Sequence, residues 1–126
     1  MLNITTFIDA NARRLDKEGY YCPSRNLRYN STEVLEIVSG IGQSLIDKGI
    51  EKGDRVLIYL NNSPEYLFSL LAIWRIGAIA IPTNRILTSS ELNYMINDSD
   101  AKLIITDDDA KETVKVLSIE SYIIED

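Results

Sequence analysis

Carboxylates are the side chains here most able to do chemistry, and they gather at Asp107-Asp108-Asp109, with Asp98 and Asp100 a few residues upstream. Such a run could hold a divalent cation or form a phosphoacceptor pocket at the end of a strand. Consecutive carboxylates in a loop alternate in direction, however, and aspartates ahead of a helix cap its amino end, so capping is the reading adopted. Asn61-Asn62-Ser63 follows an apolar run, where ligands approach open α/β sheets, and is the best local candidate for a site. Turn formation by the two asparagines and helix capping by Ser63 explain the same residues without a ligand. Cys22 is the single cysteine; no sequence neighbour suggests an activated thiol, and a small buried apolar role is the expectation. Gly40-Ile41-Gly42 resembles the start of a dinucleotide fingerprint, but Leu45 stands where a third glycine belongs and the pair lies within a helical pattern. Close helix packing is the expected role of these glycines. Glu51-Lys52-Gly53-Asp54-Arg55 reads as a solvated charged turn. No Walker phosphate loop occurs, and no nucleophile stands beside a base.

Composition narrows the field further. The 126-residue chain contains no histidine, which removes imidazole bases and His-ligated metal sites from its chemistry, and one cysteine cannot make an internal disulfide. A formal charge of -6 opposes binding to nucleic-acid phosphates or anionic membranes. With 45% hydrophobic residues, the chain can bury the core of one globular domain. Leu67 to Ile81 is the most apolar stretch, but Arg75, Gly77 and Pro82 leave it short of the ~20 residues that span a bilayer. The start of the chain lacks the pattern of a signal peptide, and a cytoplasmic location is the expectation.

The elements that must position these residues are legible from periodicity. Ile4, Phe7, Ile8 and Leu15 recur at helical spacing, predicting an amphipathic N-terminal helix. Tyr20–Cys22 and Leu27–Tyr29 predict a hairpin around Pro23-Ser24-Arg25-Asn26. Asn30 and Glu33 form a capping-box pair ahead of a helix bearing Val34, Val38, Ile41 and Leu45, which should end near Lys48 with Gly49 left-handed and Ile50 folded back on Leu45. Arg55–Leu60 predicts a central parallel strand covered on both faces. Ser63-Pro64-Glu65 opens a nearly enclosed helix to Ile76, on which only Glu65, Ser69 and Arg75 look solvated; Leu70→Asp is then expected to abolish soluble expression. Ala78–Ile81 is the next strand, Thr88-Ser89-Ser90-Glu91 a capping box, and Leu92, Met95 and Ile96 the buried face of the helix it starts. Leu103–Thr106, a short helix to about Leu117 and a strand at Tyr122–Ile124 complete the pattern. Strand-helix-strand units with short connections imply right-handed crossovers and an α/β fold: a three-layer, Rossmann-like parallel-sheet subdomain with an added helix and small hairpin.

Three stretches carry a resemblance as well. Gly49-Ile50-Glu51-Lys52-Gly53-Asp54-Arg55-Val56, Asn62-Ser63-Pro64-Glu65-Tyr66 and Gly77-Ala78-Ile79-Ala80-Ile81-Pro82-Thr83-Asn84 together resemble the N-terminal portion of the adenylate-forming enzymes, the acyl-CoA synthetase and AMP-binding superfamily. The resemblance implies that residues 1–126 are the N-terminal portion of an AMP-binding domain, without a complete second domain. It implies an ATP- and magnesium-dependent parent that activates a carboxylic acid as its adenylate and passes the acyl group to coenzyme A. Pro82-Thr83-Asn84 looks more like the acyl-CoA ligase branch, with fatty or other hydrophobic acids as substrates, than amino-acid-activating domains. The family's phosphate loop, nucleotide contacts and late lysine have no counterpart here, so no catalytic, cofactor-binding or metal residue is carried over, and the chain alone is expected to be inactive, to bind no cofactor and to self-associate through uncovered surface. The alternatives are a free-standing, non-catalytic α/β interaction module and an adenylation domain for another carboxylate.

Overall fold

A computed structural model of the chain describes residues 3–15 and 18–124. Helix α1 (Ile4–Leu15) leads to a hairpin of β1 (Glu18–Cys22) and β2 (Leu27–Asn30), joined by a 3-10 turn at Pro23–Arg25. Then follow α2 (Ser31–Asp47), β3 (Arg55–Ile58), α3 (Pro64–Arg75), β4 (Ile79–Pro82), α4 (Ser89–Ser99), β5 (Leu103–Thr106), a 3-10 turn at Asp108–Ala110, α5 (Lys111–Lys115) and β6 (Glu120–Ile123). The four later strands form a parallel sheet in the order β4-β3-β5-β6, and β1 pairs antiparallel with β2. The three-layer α/β architecture expected from the periodicity is present, with β3 interior.

Local chemistry places the element ends. Asn30 and Glu33 exchange side-chain-to-backbone hydrogen bonds at the start of α2, and Thr88 and Glu91 do the same for α4. At the end of α2 the Gly49 N–H donates to Ile46 O (2.9 Å) and the Ile50 N–H to Leu45 O (3.1 Å), with Gly49 at φ 90°. That is the expected Schellman cap. Gly77, at φ 79°, closes α3 the same way through Gly77 N–H to Trp74 O and Ala78 N–H to Ile73 O. Gly77 turns α3 directly into β4, whereas Gly49 leads into the turn of Glu51 to Asp54 ahead of β3.

The sheet separates two cores. On one face α2 and α3 bury Val38, Ile41, Leu45, Phe68 and Ile73 against Val56, Ile58, Leu103 and Ile105; on the other, Leu92, Ile96, Ala110 and Val114 cover Leu57 and Ile104. Burial on both faces is why β3 and β5 read as unbroken apolar runs. Met95, expected on the buried face of α4, is half-buried.

Several expectations need correction. Glu65 and Ser69 are buried, at 6% and 0% exposure, and Arg75 is half-buried with its guanidinium 2.5 Å from Asp9, so the supposed solvated stripe of α3 faces protein instead. The stripe was misassigned because α1 and the hairpin cover it. Leu70 is only half-buried, whereas its neighbours Phe68, Ser69, Leu71, Ala72 and Ile73 are enclosed. β4 begins one residue later than expected, because Ala78 is spent on the helix cap, and β6 begins two residues earlier, at Glu120. β3 pairs as far as Ile58, although the Tyr59 N–H still reaches Ile105 O. In α1, Ile8 packs against the core and Ile4 is 59% exposed; the side chains of Phe7 and Leu15 lie outside the described residues.

The two glycines of α2 differ. A Cβ on Gly42 would sit 3.3 Å from Ile76 Cγ2, so only Gly42 serves close packing against α3; one on Gly40 would meet nothing within 4 Å. Gly40 therefore carries the entropic penalty of a mid-helix glycine with no packing return. Gly40→Ala is expected to stabilise the chain by about 0.5–1 kcal/mol, read as a higher urea midpoint. An unchanged or lower midpoint would show that Gly40 has a role the packing does not reveal.

Candidate functional site

The carboxyl ends of β3, β4 and β5 open onto one rim, and Tyr59 stands at its centre. Its carbonyl accepts from Thr106 Oγ1 at 2.9 Å, and its hydroxyl lies 2.7 Å from Leu87 O and 3.1 Å from Arg85 O, so the phenol pins the loop after β4. Arg85 folds back over the Tyr59 ring, its Cζ 5.3 Å from the centroid, and donates to Asp107 at 2.7 Å. Asp107 also accepts from the Ala110 N–H at 3.2 Å, capping the 3-10 turn. Thr83 Oγ1 donates to Ile58 O at 2.6 Å, and Tyr66 donates to Thr83 O at 3.1 Å. Burial raises the Tyr66 pKa, which outweighs the opposing hydrogen bond to Thr83 and keeps the phenol a donor.

The sequence candidates now have places. Asn61 and Asn62 are exposed at the end of β3, while Ser63 caps α3 by accepting from the Tyr66 N–H at 3.3 Å. Asp107 caps and pairs with Arg85; Asp108 and Asp109 are exposed, and Asp108 lies 3.3 Å from the Lys111 ammonium. Asp100 ends α4 in the left-handed conformation and pairs with Arg55 at 3.2 Å, a location apart from the Asp107 cluster. The charged turn is ordered by Asp54, which accepts from the Glu51 N–H at 2.8 Å.

Beside the rim, the hairpin is clamped onto α3. Arg25 makes a two-pronged pair with Glu65 (2.7 and 2.9 Å), while Tyr20 and Tyr29 meet the Phe68 ring edge-on at 6.3 and 5.1 Å. Burial pushes the Glu65 carboxyl up, but hydrogen bonds and charge from Arg25 outweigh it and the net pKa is lowered. A groove of about 300 Å³ runs between Cys22 on the hairpin and Asn62 and Leu67 beyond β3. Cys22 is half-buried, which corrects the expectation of a core residue; its thiol pKa is lowered chiefly by the hydrogen bond it shares with Ser24, 3.4 Å away.

Neither clamp was foreseen from the sequence, since Arg85 and Asp107 are 22 residues apart and Arg25 and Glu65 are 40 apart. The only available signal was an arginine and an acid each adjoining a turn.

Chemically, the rim offers exposed amides and a braced loop. Its charged groups are spent on one another: Arg85 on Asp107 and Arg25 on Glu65. Among the described residues no three His, Cys, Asp or Glu side chains gather as metal ligands. Among the described residues, the side chains of the rim do not fit a triphosphate or its magnesium ion.

Comparison with known proteins places this geometry. Residues 7–125 match the AMP-binding enzyme family. The acyl-CoA ligase sidI of Aspergillus fumigatus is 32% identical over 88 residues, covering 70% of this chain and 15% of that protein. The long-chain-fatty-acid–CoA ligase FadD13 of Mycobacterium tuberculosis is 30% identical over 86 residues, covering 68% of this chain and 17% of that protein. The chain thus spans about a sixth of these relatives' length. The crystal structure of the N-terminal domain of FACL13 from Mycobacterium tuberculosis superposes with a TM-score of 0.87 at 23% identity, covering 98% of this chain and 34% of that one, which establishes the shared fold. On the family match over nearly its whole length, the chain belongs to the AMP-binding enzymes.

Proposed function

We propose that this chain is the N-terminal portion of an acyl-CoA ligase: an enzyme that joins a carboxylic acid to AMP at the expense of ATP, with magnesium, and then transfers the acyl group to the thiol of coenzyme A. The observation that carries the reading is the family match over residues 7–125 together with relatives named as CoA ligases. Hydrophobic acids, fatty acids first among them, are the substrate class proposed, and the cytoplasm the location; no helix among the described residues is long and apolar enough to cross a membrane. In this reading Asn61, Asn62 and the Arg85-braced loop line one wall of the nucleotide and acyl site, while phosphate-holding groups come from elsewhere in the polypeptide. The chain by itself is then inactive, and it associates with itself.

ATP–pyrophosphate exchange tests this. The 126-residue chain is expected to give no exchange with any carboxylate, whereas a polypeptide that continues into a glycine-rich Ser/Thr loop with its lysine is expected to exchange with a hydrophobic acid. Exchange by the chain alone overturns the assignment of phosphate binding to other residues. A reading frame that stops without such a loop favours the interaction module.

A further inference from the structure

The chain leaves β3 through α3 on one face of the sheet, and it leaves the adjacent β5 through the 3-10 turn and α5 on the other. Connections that depart on opposite faces open a crevice beyond the carboxyl ends of the two strands, and open α/β sheets take their ligands at that point. One side chain spans it. Arg85 starts from the loop after β4, lies over the Tyr59 ring beyond β3 and reaches Asp107 beyond β5 at 2.7 Å, with only 16% and 23% of the two charged side chains exposed. The backbone that carries Arg85 is tied as fully. The Tyr59 hydroxyl, on a residue 3% exposed, donates between Leu87 O and Arg85 O. The Ile86 N–H donates to Asn84 Oδ1, the Leu87 N–H to Asn84 O and the Thr83 N–H to Ile58 O, each at 3.0 Å. A connection that merely joins a strand to a helix belongs to the looser parts of a fold. Side chains and loops locked by supporting hydrogen bonds are what a site requires.

We propose that Tyr59 and Arg85 are positioning residues of the ligase, holding the loop at 83–87 as a fixed wall of the substrate site across the crevice between β3 and β5. The inference rests on the ligase reading above and names what fixes that wall. The two residues divide the work. Tyr59 sets the height of the loop over β3 through its hydroxyl, and Arg85 draws it towards β5 through Asp107. Because Asp107 neutralises Arg85, the guanidinium is a tie and not a phosphate ligand. Both act through Asn84, an exposed amide whose Oδ1 is taken by the Ile86 N–H, so that its NH2 group is the end left to meet a substrate. A wall displaced by about 1 Å loses much of the advantage of holding reactants in line.

Hydrogen exchange of the 126-residue chain tests the brace directly. Tyr59→Phe and Arg85→Ala are each expected to speed exchange of the Ile86 and Leu87 amides by about fivefold, while the amides of β3 and β5 keep their protection. Unchanged loop amides overturn the brace. In the polypeptide that continues into a glycine-rich Ser/Thr loop, both variants are expected to raise the KM for the acid, ATP or coenzyme A by about tenfold, with a smaller fall in kcat. Arg85→Lys, which keeps the charge facing Asp107 but loses the planar fork, is expected to lie between Arg85→Ala and the unsubstituted enzyme. A merely structural weakening lowers the amount of active enzyme, and so kcat, and leaves every KM in place. All three KM values unmoved in variants whose loop has loosened overturn the positioning role and leave the ligase reading intact. No pyrophosphate exchange by the unsubstituted polypeptide with any hydrophobic acid overturns the ligase reading, and the positioning role with it.

Discussion

Replacing Arg25 by alanine is expected to lower the stability of the chain by about 3 kcal/mol, seen as a large fall in the urea midpoint at neutral pH. Glu65 is 6% exposed and holds both prongs of the Arg25 guanidinium at 2.7 and 2.9 Å, so truncation leaves a carboxylate buried beside Phe68 without its counter-charge. Removing both charges is a different experiment. Arg25→Met with Glu65→Leu is expected to recover most of the loss, because a desolvated pair contributes little over apolar groups of similar size. The pH dependence has a definite sign. The folded pKa of Glu65 lies below its ordinary value, so the clamp stabilises the fold above the unfolded carboxyl range, near pH 4.3, and that contribution fades as pH falls through the lower, folded value. The double variant should lose less stability than the parent chain over that acidic window. An unchanged midpoint for Arg25→Ala would mean that solvent already screens the pair.

Ile73→Asp is expected to abolish the folded state, whereas Leu70→Asp is expected to leave a soluble chain that unfolds cooperatively with a loss of about 1–3 kcal/mol. Both residues are on α3, three positions apart. Ile73 has 0% exposure within the core beneath α2 and α3, so an aspartate there must be buried charged or buried protonated, each costing several kcal/mol on top of the lost apolar burial. Leu70 is half-buried, and its replacement can turn a carboxylate toward water. Against a total stability of about 5–15 kcal/mol for a domain, the first substitution consumes most of what holds the fold together. Circular dichroism and urea titration of the two variants distinguish them. A folded Ile73→Asp, or an unfolded Leu70→Asp, would show that α3 is rotated from its described face.

Much of the fold was legible because it is encoded by neighbours. The capping boxes at Asn30 and Thr88, the Schellman end at Gly49 and the hairpin around Pro23 each depend on side chains and backbone groups within about one turn, so residue type and spacing suffice. The apolar runs of β3 and β5 announce a sheet covered on both faces for the same reason: every position must satisfy burial, whichever way it points. Family membership was carried by the turns between these elements, from Gly49 to Asn84, where glycine, proline and asparagine are constrained by backbone geometry.

What stayed hidden depends on distant partners. A glutamate at position 65 has the appearance of a solvated first-turn acid until the hairpin brings Arg25 across forty positions of chain to meet it. Ser69 gives no hint that it will be fully buried, its hydroxyl without a hydrogen-bond partner among the described residues. Asp107 was legible as a helix cap, yet its second role with Arg85, and the way both lean on Tyr59, exist only once β3, β4 and β5 lie side by side. Sequence by itself determined the elements, their caps, the layered architecture and the family, since these follow from short-range sterics and apolar periodicity. Only tertiary structure decided which polar residues of α3 face protein and how the rim is braced, because those depend on charges and surfaces meeting across distances that local spacing does not encode.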